Sequence, residues 1–462
     1  ENRLAEDAAA IMEPTCGVGN FLLAASNTFA CSKLIGIEVN AKRADAARIE
    51  VPSATIETND IFNVSTKTLC GEDCVLVIGN PPWATNSELS FNLPPKTNFK
   101  GLRGIEAITG SSNFDICEYI ILKLIGEYKH TNSTICMLCK TSVARNVVSE
   151  LSRNHIAYQK VEMLNFNSSK IFGISASACV LIIKLSTDEA CAGEIVCEVK
   201  DFDKKSVIDT LIVSGDTVKT ARTITDLEGK CQFVWRQGVK HDCGKVMELD
   251  RKDNDFINKN KTAVRLENGL VFPLVKSSHF KKPIIHDFSK FVIVTQTKPK
   301  QDTAYIQKEY PLTWKYLNDN IESFDKRKSV IYKETAPFSM FAPYKVALSG
   351  FYKKPLFCLL YASKPVMTDD TAYFLAFYDY DIAYSMMLLL NSKTVQEFLL
   401  SIAFLDNKRP YTVKLLSRLD IQKCLEAVPF EGLKQTEAGL KLPPKITETM
   451  YRNLAQFVRE QA

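Results

Sequence analysis

The sequence predicts an α/β protein, with a parallel sheet and crossover helices in its first half and a second domain of different pattern. Short apolar runs alternate with helical stretches up to about Ser186, which is typical of strand–helix–strand units. Beyond that point the alternation fades and charged residues become dense. A chain of 462 residues is also too long for one typical core. We therefore predict a first domain over residues 1–186, a connecting region over 187–232 and an α+β second domain over 233–462.

The individual elements follow from the spacing of apolar residues. Asn40 precedes one of the helical stretches and can cap it, because its short amide side chain reaches back to the first turn. The strands are predicted at 8–12, 34–38, 54–58, 74–78 and 134–138, and the helices at 19–27, 40–50 and 116–128. Residues 158–166 and 177–185 are predicted to form a hairpin. In the second domain the clearest helix is predicted at 393–404.

The composition excludes several classes of protein. No apolar run approaches the roughly twenty residues that span a bilayer, and the first residues lack the pattern of a signal peptide, so we expect a cytoplasmic protein. The net charge is only +5, so any surface that binds nucleic acid must be a local basic patch.

The 14 cysteines are scattered, and several lie within apolar runs. This distribution favours buried, reduced thiols over disulfides or zinc ligands. Cys136 and Cys139 have the spacing of a zinc finger, but no second pair follows at a matching distance. We predict that the protein holds no metal.

A glycine-containing loop follows the first predicted strand and opens the first helix. It comprises Glu13, Pro14, Thr15, Cys16, Gly17, Val18, Gly19 and Asn20. Glycine at such a turn adopts backbone dihedrals that other residues avoid and lets a ligand approach the main chain. Any tight strand-to-helix connection can use glycine, so the loop by itself is weak evidence for a nucleotide-like ligand.

An acidic residue lies at the carboxyl end of each of the next two strands: Glu38 ends the second strand, and Asp60 follows the third. Glu38 lies 21 residues after Gly17, where a carboxylate can accept hydrogen bonds from both ribose hydroxyls of a nucleoside. Alternatively, Glu38 only flanks the helix that Asn40 caps. Asp60 can accept a hydrogen bond from an adenine amino group while Ile61 packs on the ring. Ligand-type residues at the carboxyl ends of three successive strands together predict a nucleoside cofactor.

The fourth strand leads into Asn80-Pro81-Pro82-Trp83. The two prolines restrict the backbone, so that an amide side chain, a carbonyl and an aromatic ring would face the same crevice as the cofactor. In isolation this tetrapeptide could be a surface turn.

Taken together, these motifs resemble the amino-methyltransferase family of DNA methyltransferases. The cofactor motif precedes the catalytic motif, which is the order of the gamma group, similar to the TaqI-type enzymes. The resemblance implies a Rossmann-like domain that transfers a methyl group from S-adenosylmethionine to N6 of a flipped adenine. It implies that Glu13, Pro14, Thr15, Cys16, Gly17 and Gly19 hold the methionine end, Glu38 the ribose, and Asp60 with Ile61 the adenine. Asn80 and the Pro81 carbonyl would accept hydrogen bonds from the target amino group, and Trp83 would stack on the base.

Two further residues are assigned by the same resemblance. Ile120 would lie against the cofactor adenine, and Phe172, beside the predicted hairpin, would contact the flipped base. Both could equally be core residues.

The second domain resembles the target-recognition domain of the TaqI-like group more loosely. The resemblance implies that Lys408, Arg409 and Tyr411 approach double-stranded DNA. Lysine-rich stretches at 273–301 and 323–354, which include Lys276, Lys290 and Lys345, could add phosphate contacts, although a solvated lysine face is the commoner role of such runs.

Several alternatives remain open at this stage. A further cofactor segment usually precedes the glycine loop and is missing here or was trimmed, which favours a non-catalytic recognition subunit. An RNA or protein-glutamine methyltransferase could use the same loop, and cytosine N4 could replace adenine N6. A restriction endonuclease subunit or domain is a possible partner.

Overall fold

The computed structural model describes residues 8–29, 33–71, 73–84, 115–173, 176–189, 192–215, 217–239, 243–252, 255–296, 301–325 and 337–461. The chain divides into two compact units, Glu1–Arg222 and Thr223–Ala462.

The first unit is built on one large mixed sheet. Its strands are β1 (Ala10–Glu13), β2 (Leu34–Glu38), β3 (Ala54–Thr58), β4 (Val75–Gly79), β5 (Thr134–Lys140), β6 (Tyr158–Phe166), β7 (Ala178–Leu185), β8 (Ile195–Asp201), β9 (Val207–Ser214) and β10 (Thr217–Thr220). Its helices are α1 (Asn20–Thr28), α2 (Ala41–Glu50), α3 (Thr66–Cys70), α4 (Ile116–Tyr128), α5 (Thr141–Arg153) and α6 (Ser168–Phe172), with a 3-10 turn at Ile61–Asn63.

The strand order, among the described residues, is β10-β9-β8-β6-β7-β5-β4-β1-β2-β3. Strand β1 pairs in parallel with β2 on one side and with β4 on the other. The chain therefore reverses its direction of winding at β1, and the carboxyl ends of β1 and β4 lie side by side. In open α/β sheets this switch point is where ligands bind.

The central strands are apolar because both faces of the sheet are covered. Every residue of β1 and of β2 is buried. Ala44 and Ala47 of α2 are buried in the same core cluster as Ile11 and Leu34, since alanine lets a helix approach a sheet closely.

The structure confirms the predicted α/β class and most of the elements in this unit. Strands β2 and β3 and helix α4 have the predicted bounds. Asn40 caps α2, and its side chain accepts a hydrogen bond from the Arg43 backbone N–H at 3.2 Å. The predicted hairpin is present as the antiparallel pair β6–β7.

The connecting region expected at 187–232 differs from the structure, because β8, β9 and β10 extend the sheet of the first unit up to Thr220. In β8 the buried residues Ile195, Cys197 and Val199 alternate with more exposed ones. Dense charge on the outward positions concealed this period-two pattern in the sequence. Helix α5, which was not predicted, is buried along a stripe that includes Val143, Val147 and Leu151.

The second unit combines two sheets with a helical C-terminal part. One sheet has the order β11-β21-β18-β19-β16 and the other β14-β13-β12-β17-β15-β20. These strands are β11 (Arg236–Gln237), β12 (Glu248–Lys252), β13 (Asp255–Asn258), β14 (Ala263–Val264), β15 (Val271–Val275), β16 (Ile284–Ile285), β17 (Lys290–Ile293), β18 (Tyr344–Ser349), β19 (Cys358–Tyr361), β20 (Met367–Thr368) and β21 (Ala372–Phe377).

The helices of this unit end with a long amphipathic one. They are α7 (Gly244–Met247), α8 (Tyr305–Glu309), α9 (Pro311–Asp319), α10 (Glu322–Asp325), α11 (Tyr380–Asn391), α12 (Lys393–Ile402), α13 (Val413–Leu416), α14 (Ile421–Ala427), α15 (Phe430–Gly439) and α16 (Glu448–Gln461). Helix α11 is central, because it packs against α15, α16 and β18. The helix predicted at 393–404 corresponds to α12. No helix within the described ranges is long and apolar enough to cross a membrane.

Lys345 is one of the lysines that the sequence offered for phosphate contacts, but the structure buries it. It lies in β18 with 1% of its surface exposed, and its Nζ donates to the Ala342 carbonyl at 3.1 Å. Its Nζ also lies 5.6 Å from the centre of the Phe374 ring. Burial lowers the pKa of this lysine from 10.5 to about 7, because the charged form loses its hydration.

We expect Lys345→Met to stabilise the second unit by about 1–3 kcal/mol at pH 6, since the buried ammonium is replaced by an apolar chain of similar length. The folded-state pKa lies below the unfolded one, so wild-type stability rises as the pH is raised from about 7 towards 10.5. The gain from the substitution should therefore shrink over that range. Urea unfolding at several pH values measures it.

The exposed Lys354 provides the control, because Lys354→Met removes an ammonium that is already hydrated. A stability gain that is equal for both variants, or independent of pH, would contradict the explanation.

Candidate active site

The loop between β1 and α1 takes its shape from two glycines. Gly17 has φ +56° and Gly19 has φ +91°, both in the left-handed region that other residues rarely adopt. A Cβ atom at Gly19 would also lie 3.3 Å from the Cβ of Ala47 in α2. Gly19 is therefore required for both conformation and packing, which lets α1 begin directly after the loop.

Glu38 holds this loop in place. Its carboxylate, which is almost fully buried, accepts hydrogen bonds from the backbone N–H groups of Gly17 at 2.9 Å and of Asn40 at 2.8 Å. A carboxylate offers about four lone-pair positions, so two accepted bonds leave capacity for hydroxyl donors of a ligand.

Asp60 and Ile61 lie at the end of the neighbouring strand, where Asn59 donates its backbone N–H to the Glu38 carbonyl at 3.1 Å. The Asp60 side chain caps the 3-10 turn by accepting the Phe62 backbone N–H at 2.9 Å, and Ile61 is buried. Ile120 is buried in α4, which packs against this same turn. The side chains predicted to surround a nucleoside are therefore on adjoining elements.

Glu13, at the end of β1, is a buried carboxyl group in an incompletely satisfied environment. Within the described part of the chain, neither its Oε2 atom nor the Oγ1 atom of Thr15 has a hydrogen-bond partner. Burial raises the pKa of Glu13 to about 8, and the negative charge of Glu38 adds to the rise. A cationic ligand group would both satisfy the carboxyl oxygen and favour its ionised form.

We expect Glu13→Gln to stabilise the ligand-free protein more as the pH rises. The raised folded-state pKa means that wild-type stability is lost as the pH increases from 4.5 to about 8, at up to about 1.4 kcal/mol per pH unit. The glutamine variant lacks this dependence. Denaturant unfolding at pH 5, 6.5 and 8 should show a widening difference from wild type.

The exposed Glu50 at the end of α2 is the matched control, and Glu50→Gln should leave the pH profile unchanged. A constant difference between Glu13→Gln and wild type would show that the carboxyl group is not forced to ionise in an unfavourable site.

The Asn80-Pro81-Pro82-Trp83 loop begins where β4 meets the cofactor loop. A Cβ atom at Gly79, the last residue of β4, would lie 3.5 Å from Cδ of Pro14 and 3.6 Å from Cγ of Glu13. Asn80 and Pro82 are exposed, whereas Pro81 is buried. The structure thus brings the loop that carries Asn80 directly beside the glycine loop.

Trp83 and Phe172, which the family resemblance assigned to the same target base, lie close together. Their ring centroids are 6.2 Å apart in an edge-to-face arrangement, and Phe166 supports Phe172 at 5.9 Å. The Trp83 Nε1 atom donates to the Leu138 carbonyl at 3.4 Å. Phe172 is 45% exposed. It is the last residue of the short helix α6, which follows strand β6.

Sequence reasoning missed two charged residues beside this loop. The Lys140 ammonium lies 2.7 Å from Oδ2 of Asp115 and donates to the Trp83 carbonyl at 3.3 Å. No motif in the sequence marks Lys140, which simply ends β5. Asp115 precedes an apolar helix and could have been identified as its cap.

In the second unit the three predicted DNA-contacting residues have different environments. Lys408 is exposed. Arg409 is half-buried, bonded to the Asp370 carbonyl at 2.8 Å and paired with its carboxylate at 3.2 Å. Tyr411 is fully buried and donates its hydroxyl to the Lys353 carbonyl at 2.8 Å.

The assignment of Tyr411 to a DNA contact therefore does not fit the structure. Its ring belongs to the apolar core that also contains Phe357 and Leu416. Placing the hydroxyl against a backbone carbonyl lets the large ring be buried without an unsatisfied polar atom.

Two more of the candidate lysines are used within the unit. Lys276 lies 2.9 Å from the buried Glu248, and Lys290 lies 2.7 Å from Asp250, so each pairs with an acid of β12. Of the other basic residues in these two stretches, Lys281, Lys282, Lys353 and Lys354 are exposed, whereas Lys298, Lys300, Lys326, Arg327, Lys328 and Lys333 lie outside the described residues.

No protein-family model matches the chain. Among curated proteins it is 34% identical over 438 residues to the Type II methyltransferase M.NspV of Nostoc sp., which covers 89% of this chain and 91% of that protein. It is also 29% identical over 133 residues to the Type II methyltransferase M.CvrRI of Paramecium bursaria Chlorella virus XZ-6E, which covers 29% of this chain and 30% of that protein.

Two solved structures share the fold at low sequence identity. One is the Type IIL restriction-modification enzyme MmeI in complex with DNA, with a TM-score of 0.55 and 11% identity over 98% of this chain and 69% of that one. The other is the ATP-dependent Type ISP restriction-modification enzyme LlaBIII bound to DNA, with a TM-score of 0.51 and 11% identity over 97% of this chain and 38% of that one. Because M.NspV is similar over nearly its whole length, this chain belongs to the family of Type II methyltransferases.

Proposed function

We propose that this chain transfers the methyl group of S-adenosylmethionine to N6 of a flipped adenine at a specific site in double-stranded DNA, as a TaqI-like member of the gamma group within a restriction-modification system. One observation carries the proposal. The Asn80 loop and the glycine loop leave neighbouring parallel strands at the switch point of the sheet, and a Cβ atom at Gly79 would lie 3.5 Å from the Pro14 ring. A methyl donor held by one loop would thus face an amino group held by the other.

The cofactor is S-adenosylmethionine, and the residues of the first unit suit its chemical groups. Glu13 has a buried oxygen that finds no hydrogen-bond partner among the described residues, which fits the ammonium of the methionine end. Glu38 has lone pairs left for the ribose hydroxyls, and Asp60 with Ile61 and Ile120 would surround the adenine. The Pro14-Thr15-Cys16 segment and the two glycines would lie against the methionine end, in a loop whose Cys16 and Gly17 N–H groups are bonded to the Ile37 carbonyl and the Glu38 carboxylate.

The chemistry that we assign to the Asn80 loop is positioning. An adenine amino nitrogen is a poor nucleophile, because its lone pair is delocalised into the ring. The Asn80 side-chain oxygen and the Pro81 carbonyl would each accept one amino hydrogen, which favours a pyramidal nitrogen with its lone pair directed at the donor methyl. The new nitrogen–carbon bond would form as the methyl–sulfur bond breaks, and one amino proton would then leave to solvent, so no covalent enzyme intermediate is needed.

Trp83 and Phe172 suit a base that has been rotated out of the duplex. Enzymes that modify a base inside DNA must extrude it and hold it against aromatic surfaces. The two rings touch edge to face here, and Phe172 remains partly exposed. An incoming base would stack on Trp83 while Phe172 closes the side of the pocket.

The second unit would recognise the DNA sequence. Lys408 is exposed and can contact a phosphate, whereas Arg409 would act through its bond to Asp370 rather than as a free cation. A restriction endonuclease that cleaves the unmethylated site would be the functional partner.

Asn80→Ala should reduce methyl transfer at least 1000-fold while cofactor affinity changes less than about threefold, because one of the two acceptors for the amino group is lost. Transfer is measured with labelled S-adenosylmethionine and duplex DNA, and affinity by calorimetry. Asn27→Ala, on the exposed face of α1, is the control and should keep full activity.

Nucleoside analysis of the labelled product tests the acceptor. Label in N6-methyladenine is expected. Label in N4-methylcytosine would correct the base, and label in RNA or protein but not in DNA would refute the proposed function.

Phe172→Ala should lower kcat/KM about tenfold, because a stacking contact with the flipped base contributes about 1–3 kcal/mol. When DNA carries 2-aminopurine at the target position, its fluorescence on binding this variant should also differ from its fluorescence on binding the wild type. Ile171→Ala removes a neighbouring exposed apolar side chain of the same helix and should have little effect. Equal losses for both variants would argue against a specific role of the phenyl ring.

A further inference from the structure

Lys140 lies where three parts of the candidate site meet. It is the last residue of β5, it pairs with Ala178 at the start of β7, and α5 begins at the next residue. The Thr141 backbone N–H donates to the Ser177 carbonyl at 3.1 Å, which joins this corner to the β6–β7 connection that carries Phe172. The backbone position of Lys140 is thus held on both sides.

The side chain of Lys140 points to the Asn80 loop. Its ammonium lies 2.7 Å from Oδ2 of Asp115 and donates to the Trp83 carbonyl at 3.3 Å. The Asp115 side chain is 9% exposed and that of Lys140 is 25% exposed, so solvent screens this pair only weakly. A charge-assisted bond to a carbonyl is directional, and it restrains the peptide that follows Trp83.

Asp115 ties the same contact to helix α4. Its Oδ1 atom accepts the Cys117 backbone N–H at 3.1 Å and so caps the helix, while Oδ2 pairs with Lys140. The Ile116 backbone N–H donates to the Ala84 carbonyl at 3.0 Å. The exit of the loop is therefore fastened to the start of α4 through one main-chain bond and one side-chain pair.

We infer that Lys140 is a positioning residue, which acts through the Trp83 carbonyl and the Asp115 carboxylate to hold the Trp83 ring at the angle required for stacking on the target base. This inference rests on the proposed function. Lys140 touches neither the cofactor nor the acceptor in this arrangement. Without the ammonium, the Trp83 peptide would rotate more freely and the aromatic pair with Phe172 would loosen.

A test that does not depend on catalysis uses tryptophan fluorescence. The chain has three tryptophans, and Trp235→Phe with Trp314→Phe leaves Trp83 as the single reporter. In that background, Lys140→Met should increase quenching of Trp83 by acrylamide at least twofold, and Lys140→Arg should restore most of the protection, since arginine can reach the same two acceptors.

Lys160→Met is the matched control. Lys160 is an ion-paired lysine on β6, which is separated from β5 by β7, and its partner Glu162 keeps a second partner in Lys200. Quenching should not change in this variant. Equal quenching in Lys140→Met and the parent, or a similar increase in Lys160→Met, would overturn the inference.

The kinetic test uses the full chain with S-adenosylmethionine and duplex DNA. Lys140→Met should lower kcat 10- to 100-fold with little change in the affinity for cofactor or DNA. Asp115→Asn retains a cap for α4, and the double variant Lys140→Met/Asp115→Asn should be no less active than Lys140→Met alone. An unchanged kcat, or a parallel fall of kcat, both affinities and the unfolding temperature, would refute a positioning role. Failure of wild type to label DNA would refute the proposed function instead, while the quenching result still decides whether Lys140 holds Trp83.

Discussion

The parallel pairing of β1 with β4 is the constraint on which the candidate site depends. Met12 is paired with Val77, so the two strands end together, and Glu13 and Gly79 are the last residues before their loops. Both strands are buried, which makes their register costly to change, because a shift of one residue would turn every side chain to the opposite face. The two loops are therefore placed beside each other by the core of the sheet rather than by contacts of their own.

The two buried acidic residues beside these loops, Glu38 and Glu13, differ in their hydrogen bonding. Glu38 is buried but accepts two backbone hydrogen bonds, so its charge organises the glycine loop. Glu13 is equally buried, and burial raises its pKa to about 8. In the proposed function this difference has a direct use, since a ligand ammonium would supply the positive charge that stabilises the ionised Glu13 carboxylate. A site left incompletely satisfied until its ligand arrives costs stability in the free protein, as functional sites often do.

In the second unit, several of the candidate cations are used within the fold. Lys276 and Lys290 neutralise acids of β12, Arg409 pairs with Asp370, and Lys345 is buried in β18. The lysine-rich stretches therefore divide into residues that make contacts within the unit and residues that remain exposed, such as Lys281, Lys282, Lys353 and Lys354. Lys408 is exposed in the described structure, and its approach to DNA stays a prediction.

The sequence alone determined the α/β class, the bounds of β2, β3 and α4, and the order of the glycine loop, Glu38, Asp60 and Asn80. These features are local: they follow from apolar periodicity, from glycine and proline at turns, and from the rule that ligands bind at the carboxyl ends of parallel strands. The resemblance to a known family assigned Trp83 and Phe172 to one target base, and in the structure their ring centroids are 6.2 Å apart.

Only the tertiary structure decided which polar residues are buried and what they contact. Lys140 reaches the Trp83 carbonyl because β5 lies next to β4, and Tyr411 is in the core rather than on a surface because its hydroxyl meets the Lys353 carbonyl. Strands β8 to β10 likewise join the sheet through β6, far from them in the chain. Each of these outcomes depends on residues distant in sequence, whose proximity is set by the packing of the whole unit and leaves no local pattern.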